Sequence, residues 1–376
     1  MSFPAGLYVH LPYCAVRCSY CTFFVSTDES SRASYLRALA SEAAMLSPSA
    51  AGSSFDSIYL GGGTPSRIPP ADLARLLDGI RECFSVAGDA EVTLEANPED
   101  VTPAALSAWR QAGVNRFSLG VQSLSDAELA ASGRVHDAAS ARRALALLAR
   151  HTDAVAVSAD LILGLPEQTP ESFRVTLQQL LEFPLDHVSI YLLEDSRETA
   201  EDRRERPGRY VSDRVQADLW LETGERLEAR GLGHYEVSSW ARRGRRARHN
   251  LKYWERTPTL GLGASAHEFW EGSRRANVTS ISRYVAEVES GRRPTIVDRP
   301  IDAEESEREA IILGLRKAEG VPARAVEAFV AARGDDRLAR DWRDWRDAGL
   351  LRERDGRAAF TERGFLLSNE ILCRFV

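Results

Sequence analysis

Six short runs of apolar, β-branched or aromatic residues alternate with helix-like patterns along the first half of the chain. Apolar residues recur at intervals of three and four between these runs. Two of the helix-like patterns begin with a threonine and a proline, at Thr102 and Thr169, which is typical of an N-cap followed by a first-turn proline. The strand-like runs are residues 7–10, 57–60, 91–96, 116–121, 155–163 and 187–193, and the helical patterns are 35–46, 73–80, 104–112 and 144–148. Strands that alternate with helices form parallel sheets, so the pattern predicts an α/β fold with a barrel or partial barrel.

The carboxyl end of each predicted strand carries glycine, cysteine or polar residues. A single carboxylate at a strand end is usually an ordinary surface group. In parallel barrels, however, the carboxyl ends of the strands meet at one mouth, where the chemistry takes place. We therefore expect the following groups to converge: a cysteine loop, Gly61 to Ser66, Glu95, Gln122, Asp160 and Tyr191.

Three of the five cysteines, Cys14, Cys18 and Cys21, lie in one short loop after the first predicted strand. Three thiolates from a single loop suit an iron–sulfur cube, because one iron keeps an open position that a small molecule can occupy. A zinc site would require a fourth cysteine or histidine, typically in a second pair, and the chain has no other cysteine pair. Cys83 and Cys373 stand alone and are expected to be core or incidental thiols.

The composition indicates a globular protein of the cytoplasm. The chain has 376 residues, of which 44% are hydrophobic, enough to bury a large core. We find no apolar run of membrane-spanning length and no secretory signal, so we expect a cytoplasmic location. A formal net charge of −7 argues against nucleic acid as a partner.

The last part of the chain predicts a small separate domain. Residues 292–302 have the composition of a polar linker, and helical patterns follow at 304–317 and 323–332. A hairpin around Asp355 and Gly356 and a final helix from Glu362 complete a winged-helix-like arrangement. Residues 300–376 carry 16 acidic and 14 basic side chains, a net charge of −2 that does not suit DNA binding. We interpret this domain as a cover or docking domain.

The segment from Gly261 to Ala266 fits the dinucleotide-binding pattern Gly-x-Gly-x-x-Ala. That pattern requires a central strand immediately before it, and Thr257-Pro258-Thr259 is a poor strand sequence. We therefore do not expect a dinucleotide site here.

The cysteine loop resembles the signature of the radical S-adenosylmethionine (SAM) superfamily, in which three and then two residues separate the cysteines and an aromatic, here Tyr20, precedes the last. Further motifs resemble the branch that contains the oxygen-independent coproporphyrinogen III dehydrogenase HemN and the heme chaperone HemW. They are Tyr8-x-His10-x-Pro12, Gly61 to Pro65, Gly120 to Ser123, Gly133-Arg134-x-His136 and Asp160 to Pro166. The resemblance implies a partial (β/α)6 TIM-like radical SAM barrel with a [4Fe-4S] cluster that binds SAM, and a small winged-helix-like C-terminal domain. The predicted domains are 1–235 (radical SAM core), 236–299 (heme-motif region and linker) and 300–376 (HemN-type domain).

Cofactor contacts are carried over from this family residue by residue. Cys14, Cys18 and Cys21 would hold the cluster, and Tyr20 belongs to the same loop. Tyr8, Gly62 and Glu95 would contact the cluster-bound SAM. The positions that match a second SAM site of the dehydrogenase are Gly63, Thr64, Gln122, Arg134 and Asp160. Whether one or two SAM molecules bind is left open.

Two departures separate the chain from the dehydrogenase: Phe23 stands where the dehydrogenase has a further cysteine, and the segment before the cluster loop is short. A third feature favours the chaperone. It is the run His249-Asn250-Leu251-Lys252-Tyr253-Trp254, which resembles the His-Asn-x-x-Tyr-Trp motif associated with heme binding in the chaperone branch. An imidazole beside planar rings suits a porphyrin, so we hypothesise that His249 is an axial ligand of heme iron and that Asn250, Tyr253 and Trp254 contact heme.

Other basic residues near this run are also candidates. Five arginines between residues 242 and 248 would donate hydrogen bonds to heme propionates or to an acidic partner surface. His267, which follows the Gly261 segment, is a further candidate site residue. The chain lacks a Cys-x-x-Cys-His sequence, so any heme is bound non-covalently.

The resemblance leaves three functions in competition. The first is a heme chaperone that delivers heme to acceptor hemoproteins such as respiratory enzymes, some of them membrane-associated. The second is an oxygen-independent coproporphyrinogen III dehydrogenase, and the third is a HemN-like radical SAM methyltransferase, which nothing beyond the shared barrel supports. The heme motif favours the chaperone, and a homodimer, the heme acceptor and productive SAM cleavage are left open.

Overall fold

A computed structural model describes residues 4–152, 154–194, 196–334 and 336–376. The strands are β1 Ala5–Leu11, β2 Ser54–Gly62, β3 Ser85–Ala96, β4 Arg116–Gln122, β5 Ala156–Leu163, β6 His187–Leu192, β7 Gly233–Glu236, β8 Ser239–Ala241, β9 Thr259–Leu262, β10 His267–Trp270, β11 Ser273–Asn277, β12 Thr295–Pro300, β13 Val321–Pro322, β14 Leu351–Arg354 and β15 Arg357–Phe360. The α-helices are α1 Arg32–Leu46, α2 Pro70–Cys83, α3 Pro103–Gln111, α4 Asp126–Ala131, α5 Ala138–Ala149, α6 Pro170–Leu180, α7 Arg197–Glu205, α8 Asp213–Glu228, α9 Arg248–Glu255, α10 Ile281–Glu289, α11 Ala303–Leu315, α12 Ala323–Arg333, α13 Asp336–Asp347, α14 Glu362–Leu366 and α15 Ser368–Leu372.

The first six strands form the predicted parallel sheet. They lie side by side in chain order, and each pairs in parallel with the next. Helices follow strands β1 to β5, and Thr102 and Thr169 cap α3 and α6 through their hydroxyls as expected. The expected α/β architecture is therefore confirmed.

The sheet is wider than the sequence patterns indicated. It has 12 strands in the order β12-β11-β10-β9-β1-β2-β3-β4-β5-β6-β8-β7. The poor strand expected near residue 259 is in fact β9, which is fully buried and pairs in parallel with β1. Pro258 lies just before β9, where its missing N–H group breaks no ladder bond, and its carbonyl accepts from the Gly6 amide at 3.0 Å.

The prediction of a polar linker at 292–302 is also wrong in part, because these residues include strand β12. This strand is mostly exposed and pairs with β11 at the edge of the sheet. Its polar composition suits a solvent-facing edge, where hydrogen bonds to the neighbouring strand, rather than burial, hold the segment. The predicted domain boundaries at 235 and 299 stay predictions.

The six parallel strands alternate apolar and polar residues with a period of two. Apolar positions such as Leu7, Leu60 and Phe117 are fully buried in the main core. The positions between them are mainly polar and lie on the other face of the sheet, where Tyr8, Tyr59, Glu95, Ser118, Asp160 and Tyr191 line one large cavity. Since successive side chains of a strand point to opposite faces, this alternation places the core on one side and the site on the other.

The C-terminal region contains the expected helices and hairpin. β14 and β15 form the hairpin, with Asp355 and Gly356 both at positive φ, and β13 completes a three-stranded sheet. Helix α13, which lies between α12 and the hairpin, was not predicted. The region packs on the core through Glu362, which is 3.1 Å from Nδ1 of His234, and through Phe365, which contacts the His234 ring.

None of the helices in the described ranges is both long enough and apolar enough to cross a membrane.

A buried carboxylate joins α1 to the strands beyond β1. Glu42 is 1% exposed, and it accepts hydrogen bonds from the Gly263 amide (2.8 Å), the Tyr284 hydroxyl (2.6 Å) and the Asn277 amide (2.6 Å). Burial raises the pKa of Glu42 from 4.5 to about 7, although these hydrogen bonds act in the opposite direction. Glu42 therefore fixes the loop after β9, which leads to His267.

We expect Glu42→Gln to flatten the dependence of stability on pH. A carboxyl with a raised pKa binds its proton more tightly in the folded state, so its stabilising contribution is present below pH 4.5 and is lost as the pH rises towards 7. The loss is on the order of 3 kcal/mol. Urea unfolding between pH 4.5 and 8 measures it, with Glu82→Gln, an exposed carboxyl of α2, as the control. Parallel curves for wild type and Glu42→Gln would refute this expectation.

Candidate functional site

A cavity of about 1080 Å³ occupies the polar side of the parallel sheet. This volume exceeds the range of about 300–1,000 Å³ that is usual for the pocket of one drug-sized ligand. The ends of the parallel strands, the cysteine loop, helix α9 and residues of α14 and α15 all contribute to its wall. The predicted convergence of strand-end groups on one mouth is therefore observed for Glu95, Gln122, Asp160 and Tyr191.

The three cysteines lie together at this cavity, on the loop that follows β1. The Cys14 amide donates to the Ser26 carbonyl at 2.9 Å, and the Ser26 amide donates to the Pro12 carbonyl at 2.7 Å, which closes the loop. The Thr64 hydroxyl is 3.3 Å from the Cys14 sulfur, and burial raises the pKa of the Cys14 and Cys21 thiols. Three soft sulfur donors in one loop fit an iron–sulfur cluster.

Across the described ranges, no three His, Cys, Asp or Glu side chains are grouped as the ligands of one ion would be. A cubane does not need such a grouping, because each cysteine binds a different iron.

The glycine triplet brings the end of β2 against the cysteine loop. Gly62 has a φ of 108°, and a Cβ atom there would lie 2.5 Å from the His10 ring. A Cβ at Gly63 would lie 2.6 Å from the carbonyl carbon of Pro12. The amides of Gly63 and Thr64 donate to the carbonyls of Leu11 and Tyr13, both at 2.9 Å. Glycine is therefore required here for close backbone contact, as well as for the turn.

Glu95 and Asp160 are buried carboxylates in the wall of the cavity. Glu95 accepts from the Tyr59 hydroxyl (2.7 Å) and from the Gly62 amide (3.1 Å), and burial raises its pKa to about 7. Asp160 accepts from the Ser118 hydroxyl at 2.8 Å, while its second oxygen has no hydrogen-bond partner in the described ranges. Burial also raises the pKa of Asp160. Both carboxylates are therefore suited to accept hydrogen bonds from amino or hydroxyl groups of a ligand in the cavity.

Arg134 connects the cluster loop to strand β4. Its guanidinium donates to the Asn97 side chain (2.8 Å) and to the Gly120 carbonyl (3.0 Å), and it lies 3.7 Å from the Cys18 sulfur. Among the residues that the structure describes, Nε of Arg134 has no hydrogen-bond partner. Gln122, at a φ of 62°, and Tyr20 line the same part of the cavity. The predicted residues of both SAM sites are thus together, although their contacts with SAM stay predictions.

His249 lies beneath this group and is fully buried. Its Nδ1 is hydrogen-bonded to the Ser57 hydroxyl at 3.0 Å and its Nε2 to the Tyr253 hydroxyl at 2.9 Å. The ring stacks on Tyr59 at a centroid distance of 5.2 Å, and burial lowers the pKa of His249 to about 3. Both ring nitrogens are therefore occupied, so iron ligation by His249, which stays a prediction, would require one of these bonds to break.

The other three motif residues face the cavity. Tyr253 and Trp254 follow Asn250 by three and four positions on α9. All three side chains line the cavity wall. The Trp254 indole donates to Glu236 at 3.0 Å. Sequence reasoning missed Glu236 because it follows no recognised motif. It missed Glu91 for the same reason, a carboxylate that accepts from the Arg248 and His249 amides at the start of α9.

His267 is exposed and lies on the cavity wall as well. In the described part of the chain we find no hydrogen bond to its ring. The arginine run at 242–248 lies elsewhere, because none of its side chains lines the cavity. Arg245, Arg246 and Arg248 are instead paired with Asp186, Glu319 and Asp89.

Apolar side chains are unusually exposed around this cavity. Phe23, two residues after Cys21, is 67% exposed. Val16, Val135, Tyr191, Leu192 and Tyr253 are also exposed apolar or aromatic residues of the same wall. An exposed apolar patch of this kind indicates a binding surface for a ligand with a large apolar area.

The chain matches known families and structures over most of its length. The Radical SAM superfamily model matches residues 8–180, and the HemN C-terminal domain model matches residues 301–367. The chain is 34% identical over 379 residues to the heme chaperone HemW of Mycobacterium tuberculosis. This alignment covers 98% of this chain and 94% of that protein. The chain is 30% identical to HemW of Bacillus subtilis over 98% of each chain. Among solved structures it is similar to coproporphyrinogen III oxidase (HemN) from Escherichia coli, a radical SAM enzyme, with a TM-score of 0.85, 25% identity, and coverage of 100% of this chain and 90% of that one.

We expect Gly62→Ala to impair assembly of the cluster site. Alanine at this φ would cost about 1 kcal/mol in backbone strain, and its methyl group would also displace the His10 ring. Gly52→Ala is the matched control, because Gly52 also has a positive φ but has open space around it. Iron and sulfide content after anaerobic reconstitution should fall several-fold in Gly62→Ala and stay near wild type in Gly52→Ala. Equal content in the two variants would contradict the close-contact explanation.

Proposed function

This chain belongs to the HemW family of the radical SAM superfamily, and we propose that it is a heme chaperone that binds heme non-covalently and delivers it to acceptor hemoproteins. One observation carries the proposal. Asn250, Tyr253 and Trp254 of the α9 motif and the three cysteines line one continuous cavity. A ligand held by Tyr253 and Trp254 would therefore lie in the same space as the cluster site.

The shape and chemistry of the cavity support heme as the ligand. Heme is a large, planar, mostly apolar molecule, and the aromatic and apolar side chains of the wall offer matching surface. Tyr and Trp rings pack well on a flat aromatic partner while keeping a polar group hydrogen-bonded. Trp254 meets this requirement through Glu236.

Membership of the superfamily implies a [4Fe-4S] cluster and SAM as cofactors. When bound, they would supply the means to cleave SAM reductively. We propose that Cys14, Cys18 and Cys21 hold the cluster. The SAM contacts would come from Tyr8, Gly62 and Glu95, with Gly63, Thr64, Gln122, Arg134 and Asp160 as candidates for a second molecule.

His267 is a second candidate for the iron ligand. An imidazole must present a free ring nitrogen to ligate iron, and His267 is exposed on the cavity wall, whereas both nitrogens of His249 are engaged. We propose that His267 ligates the iron and that His249 positions Tyr253.

Delivery to respiratory or membrane-associated acceptors, a homodimer and a cytoplasmic location stay proposals. The dehydrogenase and methyltransferase alternatives are not favoured by the near-full-length similarity to HemW proteins.

Anaerobic reconstitution followed by titration with hemin tests the main proposal. We expect saturable binding of heme by the chain, and no decarboxylation of coproporphyrinogen III when it is supplied with SAM and a reductant. Absorbance of the heme Soret band and chromatography of the porphyrin products measure the two properties. Formation of protoporphyrinogen, or a lack of saturable heme binding, would overturn the assignment.

His267→Ala and His249→Ala should differ in their effects. Loss of His267 should change the Soret spectrum of the heme complex while shifting the free energy of unfolding by no more than about 0.5 kcal/mol, as for an exposed side chain. Loss of His249 should destabilise the heme-free protein by about 2–4 kcal/mol, because it leaves a void and two unpaired hydroxyls. Spectral titration and urea unfolding of both variants make the comparison. An unchanged spectrum in His267→Ala would refute ligation by His267.

A further inference from the structure

A second, smaller cavity lies beside the main one. It has a volume of about 170 Å³ and is enclosed by α9 and strands β9 to β12. Tyr253 and His267 line both cavities. A ligand that contacts these two side chains in the main cavity could therefore extend a small substituent into the second one.

Four of the twelve residues that line the small cavity carry a positive charge. They are Lys252, Arg256, Arg274 and Arg275. Their side chains are between 7% and 31% exposed, so the positive charges are partly shielded from water. Partly buried cations bind anions more strongly than cations that are fully solvated.

Arg256 and Arg274 are held in place by the same two groups. Their guanidinium carbons lie 5.4 Å and 4.5 Å from the centre of the Phe269 ring. Both pair with Glu309, Arg256 at 3.3 Å and Arg274 at 2.7 Å. Two guanidinium groups thus share a single carboxylate.

The other two cations of the wall are paired as well. Arg275 pairs with Glu268 and Asp298, and Lys252 pairs with Asp56. Of the four carboxylates paired with the lining cations, Glu268 lines the cavity, whereas Glu309, Asp298 and Asp56 do not. The wall of the cavity therefore presents four cations and one carboxylate, which favours an additional anion.

We propose that this cavity, the carboxylate pocket, receives a carboxylate group of the ligand bound in the main cavity. If that ligand is heme, as in the proposed function on which this inference rests, the carboxylate is a propionate. Arg274 and Arg256 are the main donors, since guanidinium groups bind carboxylates through two parallel hydrogen bonds. This assignment replaces the arginine run at 242–248, whose side chains line neither cavity.

The test compares hemin with hemin dimethyl ester, in which both propionates are uncharged. The full chain, reconstituted with its cluster, is titrated with each compound as wild type, Arg274→Gln, Arg256→Gln and Arg283→Gln. Arg283 is the control, because it is exposed on α10, lines neither cavity and pairs with Glu287 of the same helix at 3.8 Å. Two pocket variants are used so that poor folding of one does not prevent a result.

We expect wild type and Arg283→Gln to bind hemin about tenfold or more tightly than the ester, as the loss of a charge-assisted hydrogen bond implies. In Arg274→Gln or Arg256→Gln this ratio should fall to about two or below, with the affinity for the ester unchanged. An equal affinity of wild type for both compounds would overturn the carboxylate pocket, and so would an equal loss for both compounds in the pocket variants. If wild type binds neither compound, the proposed function fails as well, which separates the two results.

Discussion

The site depends on one constraint: polar side chains on the inner face of the parallel sheet must be hydrogen-bonded to one another, because burial without a partner is costly. Glu91 shows this most clearly. Its two carboxylate oxygens accept from the first two amides of α9, at 3.1 and 3.0 Å, and Arg116 lies 3.6 Å away. A carboxylate at a helix N-terminus is favourable, and here it also fixes the helix that carries the heme motif against strand β3.

The contact between Glu91 and α9 places this helix at one end of the cavity, and the cluster loop lies at the other end. Along the strands, α9 lies beside the paired residues Ser57 of β2 and Glu91 of β3, whereas the cluster loop lies beside Gly61 of β2. Four residues of strand separate these two positions, or about 13 Å at about 3.3 Å per residue. The rings of Tyr59 and His249 fill this distance, and Tyr59 reaches Glu95. Helix α9 and the end of the sheet that carries Glu95 are therefore parts of one packed unit.

Local signals in the sequence were sufficient for the parallel strands, the two threonine caps and the C-terminal hairpin, because each depends on residues close together in the chain. Strands β9 and β12 were missed because they exist only through pairing with β1 and β11. The motif at 249–254 was recognised, but its environment was not. The partners of His249 are Ser57, Tyr59 and Glu91, more than 150 positions away in the chain. The polar residues at alternate positions of the six strands could have predicted that one face of the sheet lines a polar site.

The position of His249 changes the meaning of the motif. A histidine whose pKa burial lowers to about 3 stays neutral at physiological pH, and with both nitrogens bonded it acts as a rigid spacer. Its Nε2 is hydrogen-bonded to the hydroxyl of Tyr253, whose side chain lines both the main cavity and the small one. The first residue of the motif therefore contacts the fifth, and through it the packing of α9 fixes an aromatic side chain where the two cavities adjoin. A ligand with a flat body and an anionic edge is compatible with the exposed apolar side chains of the one cavity and the cations of the other.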